Sequence, residues 1–338
     1  MKLTQIPKIG EITDQSGMKL LLSSSDGNFS QGENDVQSIC ATGDGKVEFI
    51  NFSDHSLALV NSELGCPAYY SVPAVEENKV LSSEQPPKAV LMDLDGTTIH
   101  SEEFWIWIIE KTTASLLDNK GFSLEEADIP YVSGHSVSEH LSHCVAKYCP
   151  DKSLEEARAF YFHHTHHEMS EIMAGRGRKG AFTPSPGIKD FLHGLKANDI
   201  KIGLVTSGLY EKAWPEILNG FETLGMGDPL EFYDSIITAG YPLRAGASGT
   251  LGELSPKPHP WLYSEVALVG LGLKPKDLSQ VVGIEDSGAG VCSVRLAGLV
   301  TIGITGGNIE SSGTKELCHL YADSFEQIAQ KISVSQLV

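Results

Sequence analysis

Leu91-Met92-Asp93-Leu94-Asp95-Gly96-Thr97-Thr98 decides how the rest of this chain is read. It closes an apolar run, Ala89 to Met92, with two carboxylates at i and i+2, then turns at a glycine. Side chains two apart on a strand share a face, so Asp93 and Asp95 leave the strand together at its carboxyl end. Open α/β sheets bind their ligands at that end. Read alone, the stretch is equally compatible with an Asp-Gly hairpin turn whose acids sit in solvent. The remaining segments must supply a metal ligand, a cation and a phosphate-holding hydroxyl to decide between the two.

From Lys88 onward, apolar segments alternate with helical patterns, the signature of a parallel sheet with helices on its faces. The strands are expected at 88–93, 200–206, 233–238, 280–285 and 299–304. Between the first two lies a long helical stretch. Ser101 reads as an N-cap with Glu102 and Glu103 in the first turn, and Gly121 as the end of that helix. Ser153 with Glu156 makes a capping box for a second helix expected to reach Gly175. The chain returns at Thr183, with Pro186 suited to a first helical turn and a stripe of Ile188, Phe191, Leu192 and Leu195. The fold class expected is therefore α/β: a Rossmann-like parallel sheet core over 87–98 and 184–338, an inserted α-helical cap over 99–183, and a β-containing N-terminal extension over 1–86.

The extension has no arginine and is rich in Ser, Gly, Asn and acids. A hairpin is expected from 36–41 and 46–52 around Thr42-Gly43-Asp44-Gly45. Consecutive prolines make 82–88 a linker. The chain has 338 residues, 41% hydrophobic, enough for about two domains. Its net charge of -19 argues against nucleic acid and anionic membranes as partners. No apolar run reaches the roughly 18 residues of a membrane helix, and the first residues lack a secretory apolar centre. A cytoplasmic location is expected. The cysteines Cys40, Cys66, Cys144, Cys149, Cys292 and Cys318 are scattered, as in a reduced protein without structural zinc. The oligomeric state is not legible.

Three later segments carry chemistry. Lys201 to Gly208 is an apolar strand ending in Thr206, Ser207 and Gly208: a hydroxyl for a phosphate oxygen and two amides for a nest, or simply the cap of the next helix. Lys257 stands between Pro256 and Pro258, which restrict the backbone so that one ammonium can face a carboxylate and a phosphate. Standing alone, it reads as a surface lysine. Gln280 to Gly290 ends a strand in Glu285 and Asp286, followed by Ser287 as an N-cap and a Gly-Ala-Gly helix entry. Hard carboxylate oxygens of this kind suit Mg²⁺.

Taken together, DLDGTT at 93–98, VTSG at 205–208, SPKP at 255–258 and GIEDSGAGV at 283–291 resemble the four motifs of the haloacid dehalogenase superfamily, in its phosphatase and phosphomutase branch. The likeness covers 88 to about 330, and the helical insertion is similar to the cap of the β-phosphoglucomutase and phosphoglycolate phosphatase subgroup. The resemblance implies Asp93 as nucleophile and Asp95 as general acid and base. It also implies Mg²⁺ held by Asp93, the Asp95 carbonyl and Asp286 with Glu285 nearby, and phosphoryl oxygens held by Thr206 and Lys257, with Ser207 and Gly208 beside them. By the same likeness, 132–140 is the substrate-specificity loop, with Gly134, His135 and Ser136 as contacts. Val137 departs from the family pattern, since β-phosphoglucomutases carry an arginine there for a second phosphate.

The function expected is thus a Mg²⁺-dependent phosphatase for a small phosphorylated metabolite such as a sugar phosphate. The alternatives are a β-phosphoglucomutase-like isomerase and a catalytically weak scaffold with a protein-binding extension. Other features read blandly. His163 and His167, spaced i and i+4, suit Zn²⁺ but lack an HExxH pattern and read as a polar helix face. Trp105 and Trp107 read as cap core, Arg176, Arg178 and Lys179 as a solvated loop, and 242–254 as a surface loop.

Overall fold

The computed structural model describes residues 12–13, 19–20, 31–32, 35–41, 47–60, 68–73, 86–129, 137–239, 256–334. Four N-terminal strands, β1 (Ser38–Ala41), β2 (Val47–Asn51), β3 (His55–Val60) and β4 (Ala68–Pro73), form an antiparallel meander in that order. The expected hairpin is its first half, with Ala41 opposite Glu48, while its turn at 42–45 lies outside the described residues. Strands β3 and β4 were not expected from the sequence. Leu57, Ala58, Leu59 and Val60 are all buried, so no polar alternation marks the strand. A separate two-residue pair joins Ile12–Thr13 to Lys19–Leu20.

The core sheet has six parallel strands: β5 (Ala89–Asp93), β6 (Lys201–Leu209), β7 (Ser235–Ala239), β8 (Val281–Glu285), β9 (Val300–Ile304) and β10 (Leu320–Ala322). Their spatial order is β7-β6-β5-β8-β9-β10, which sets the strand of the opening motif between those carrying Thr206 and Glu285. All five residues of β5 are buried, as a strand with helices on both faces requires. Val90 and Met92 face one apolar cluster, with Phe191, Leu192 and Ile217. Ala89 and Leu91 face the other, with Leu262, Tyr263 and Val266. The sixth strand, three residues long, is an addition to the five expected.

The chain between β5 and β6 carries α1 (Glu102–Leu116), α2 (Val137–Tyr148) and α3 (Leu154–Met173), then α4 (Ile188–Ala197). The Ser153–Glu156 capping box is formed in both directions, at 3.0 and 3.1 Å. Helix α1 ends at Leu116, ahead of the expected stop at Gly121, and Ser101 makes no capping bond to it. The reason lies in the site described below. A short antiparallel pair, Ile99–His100 with Thr183–Pro184, ties the two ends of the helical insertion together. After β6 comes α5 (Tyr210–Leu224), and Trp261–Glu265 follows as a short helix. Helices α6 (Gly288–Leu296) and α7 (Phe325–Lys331) complete the core.

The N-terminal sheet packs directly on that core. Val47, Phe49, Ala58, Val60 and Val72 join Val291, Cys292 and Leu296 of α6, with Ile309 and Leu317, in one apolar cluster. It thereby supports the helix that follows Glu285 and Asp286. No helix of the described residues is long and apolar enough to cross a membrane.

Candidate active site

Because β6, β5 and β8 are adjacent and parallel, their last residues open on the same edge of the sheet. Asp93, Glu285 and Asp286 offer carboxylate oxygens that all lie within 4.8 Å of one another, and all three residues are buried. Two glycines permit the crowding. A Cβ on Gly96, whose φ is +85°, would lie 2.1 Å from Oδ2 of Asp286, and one on Gly290 would lie 1.9 Å from Cδ of Glu285. The turn after Asp95 and the helix entry after Ser287 therefore approach the acids as only glycine allows. Ser287 caps α6, accepting from the Gly290 amide at 3.1 Å.

The cation is Lys257. Its Nζ donates to Oδ1 of Asp93 and lies 2.6 Å from Oε1 of Glu285, with about 7% of the lysine side chain exposed. Burial alone would lower this ammonium, but the carboxylates of Asp93 and Glu285 outweigh it and hold it above its ordinary value. Its amide donates to Ser207 Oγ at 3.1 Å, which fixes the loop. Burial pushes Asp93 well above the ordinary carboxylate range; Glu285 adds to this and Lys257 opposes it. Asp286 is pushed up to about 7, again by burial first and Glu285 second.

Glu285 differs from the other two acids. Its Oε1 accepts from Lys257 and from the Tyr263 hydroxyl at 2.5 Å, while Oε2 accepts from Ser287 at 3.2 Å. Both of its oxygens are already engaged. Among the described residues the side-chain donor to Asp286 is Thr97, at a long 3.4 Å. The donor set fits a small hard divalent cation: three buried carboxylates, two of them raised and so short of positive charge, against one lysine.

Asp95 is half-buried at the turn. Its Oδ1 accepts from Ser101 Oγ at 2.8 Å and its Oδ2 from Thr206 Oγ1 at 3.4 Å. Ser101 makes no capping bond because its backbone, at φ −123° and ψ −4°, is not in the extended region an N-cap requires; its hydroxyl is turned to Asp95. Thr206 in turn accepts from the Gly208 amide at 2.8 Å, so that amide is spent on its own strand end. Strand β6 continues through Gly208 to Leu209, and α5 starts at Tyr210 with no side-chain cap.

Of the site residues expected from the sequence, Asp93, Asp95, Thr206, Ser207, Gly208, Lys257, Glu285 and Asp286 lie together at one edge of the sheet. Gly134, His135 and Ser136 lie outside the described residues. His163 and His167 are exposed on α3, and among the described residues only Asp93, Glu285 and Asp286 group as three or more metal-type side chains. Arg176 pairs with Glu171 at 2.7 Å, and Arg178 lies 4.9 Å from the Trp107 ring centroid. Sequence reasoning missed Tyr263, Ser101, Lys212 and Glu216. Glu216 of α5 is fully buried, and burial, then Asp95, raises its carboxyl well above the ordinary range. The charge of Lys212 opposes that rise.

Comparison with known proteins gives the following likenesses. Residues 90–234 match the family described as haloacid dehalogenase-like hydrolase. A validoxylamine A 7'-phosphate phosphatase of Streptomyces hygroscopicus subsp. limoneus is 28% identical over 222 residues, 64% of this chain and 85% of that protein. Among solved structures, a predicted phosphoglycolate phosphatase from Haemophilus somnus 129pt superposes with a TM-score of 0.55 at 17% identity, covering 73% of this chain and 99% of that one. CbbY from Rhodobacter sphaeroides in complex with phosphate gives 0.53 at 20% identity, over 73% of this chain and all (100%) of that one. These two likenesses concern the fold.

Proposed function

We propose that this chain, whose residues 90–234 match the haloacid dehalogenase-like hydrolase family, is a phosphoric monoester hydrolase that releases phosphate from a small phosphorylated metabolite with the help of Mg²⁺. The carrying observation is the convergence of Asp93, Asp286, Glu285 and Lys257 at one sheet edge, with Asp95 held beside them. Asp93 and Asp286 would hold Mg²⁺, with the Asp95 carbonyl. When bound, the ion neutralises charge on the transferring phosphoryl group.

The chain's own residues supply the remaining steps. An Asp93 carboxylate oxygen attacks phosphorus, the bond from phosphorus to the leaving oxygen breaks, and Asp95 in its acid form passes a proton to that oxygen. Asp95, now a carboxylate, takes a proton from water as the water oxygen attacks the aspartyl phosphate. The bond to Asp93 then breaks and inorganic phosphate leaves. Lys257, anchored by Glu285 and Tyr263, neutralises Asp93 and a phosphoryl oxygen together. The Thr206 hydroxyl receives the Gly208 amide and keeps its own proton for an oxygen: Asp95 in this structure, a phosphoryl oxygen when substrate is bound.

Helices α1 to α3 are assigned as the cap over this site. The relative acting on validoxylamine A 7'-phosphate supports a sugar-like phosphate as substrate. Among the described residues no disulfide joins Cys40, Cys144, Cys149, Cys292 or Cys318, which suits a reducing cytoplasm. A panel of phosphomonoesters assayed with and without Mg²⁺ tests the reading. Metal-dependent phosphate release from at least one supports it. Isomerisation of a sugar phosphate without phosphate release, or no turnover, contradicts it.

A further inference from the structure

Lys212 is the third residue of α5, where the positive end of the helix dipole disfavours a cation. Its ammonium lies 3.7 Å from the centroid of the Trp105 ring on α1. Among the described residues no carboxylate oxygen comes within 4.0 Å of it and it makes no hydrogen bond. Yet the side chain is only partly exposed, and Asp95, Tyr161 and Glu216 bear on its charge. Burial would lower the ammonium, and Asp95 outweighs it, so the group stays charged. The indole N–H of Trp105 is also buried without a partner. Trp105 follows Ser101 by about one helical turn, and Ser101 holds Asp95, so the unused indole N–H and the ammonium on its ring belong to the helix that adjoins the carboxylate assigned to the leaving oxygen. Buried donors left unmade are costly, so this arrangement fits a ligand that completes it.

We propose that Lys212, seated on Trp105, binds hydroxyl oxygens of a polyhydroxylated leaving group, and so selects sugar-like phosphomonoesters. The inference rests on the hydrolase reading above and adds the substrate class. Neutral hydroxyls fit better than a second acidic group. Asp95 already brings negative charge to bear on this ammonium. The neighbouring cations are engaged, Lys257 by Asp93 and Glu285, Lys111 by Glu168 at 2.5 Å. A sugar hydroxyl offers lone pairs to both the ammonium and the indole N–H.

The test compares wild type, Lys212→Met and Lys212→Arg on aldose, ketose and cyclitol monophosphates, on phosphoglycolate and on p-nitrophenyl phosphate. Lys212→Met should lower the ratio of kcat/KM for the best sugar-like ester over p-nitrophenyl phosphate by about 10- to 100-fold, chiefly through KM. Lys212→Arg should recover part of it. An unchanged ratio overturns the proposal, because Lys212 then acts on the shared phosphoryl group or only on packing. So does a wild type that turns over p-nitrophenyl phosphate or phosphoglycolate but no sugar-like ester. Absence of phosphate release from every ester would instead fell the hydrolase reading itself, and the proposal with it.

Discussion

Replacing Lys257 with methionine removes the cation from a buried acidic cluster while keeping most of the side-chain volume. The ammonium touches Asp93 and lies 2.6 Å from Glu285, whose side chain is 0% exposed. Without it, carboxylates with oxygens within 4.8 Å face one another. At an effective dielectric of about 20, two unit charges at that separation repel by about 3.5 kcal/mol. Breaking a buried ion pair by truncating one partner costs about 3–5 kcal/mol, in line with that figure. At roughly 2 °C per kcal/mol, the metal-free variant should melt on the order of 6–10 °C below wild type at neutral pH. Mg²⁺ should recover at least half of the loss, since a divalent cation neutralises the same carboxylates. Thermal melts in EDTA and in Mg²⁺ measure both effects. Equal melting of the two proteins in EDTA, or a deficit that Mg²⁺ leaves untouched, would refute the charge argument.

Three further outcomes are expected. Asp286 is raised from its ordinary 3.8 to about 7, so the folded metal-free protein binds the extra proton more tightly than the unfolded chain. Its stability should fall as pH rises between about 4 and 7, and Mg²⁺ should flatten that fall; melts across this range that are level in EDTA would contradict it. Gly290→Ala drives a methyl against Glu285 and should cost about 1–3 kcal/mol. By displacing the acid that anchors Lys257, it should also lower kcat about tenfold, and a variant with wild-type kcat would show that Glu285 does not anchor the lysine. Phe49→Ala, at a fully buried position of the N-terminal sheet, should cost about 3–5 kcal/mol in a denaturant titration; a neutral result would mean that the extension does not support α6.

The acids at the strand ends were legible because their positions follow from the period of the strand alone. Asp93, Thr206 and Glu285 each end an apolar run, and parallel pairing brings such ends together. Lys212 and Glu216 were not legible, because a lysine and a glutamate at i and i+4 read as an exposed ion pair on any amphipathic helix. Only packing against Trp105 and Ser101 distinguishes them. Ser101 misled for a related reason: an N-cap needs extended backbone as well as a hydroxyl, and the bond to Asp95 that goes with its actual backbone is a tertiary contact the local sequence does not show. Strand β3 escaped notice because burial on both faces erases the alternation that marks a half-exposed strand, and β10 because three residues carry no period at all.

The central claim is that Asp93 carries the phosphoryl group, and acid-quenched single turnovers with a ³²P-labelled phosphomonoester address it most directly. Wild type should yield labelled protein that is stable in acid, lost in alkali and mapped to Asp93, formed only with Mg²⁺. The Asp93→Asn variant should fold with an unchanged circular dichroism spectrum, take up no label and release no phosphate. Label on another residue, or substantial Mg²⁺-dependent turnover by the folded Asp93→Asn protein, would contradict the account.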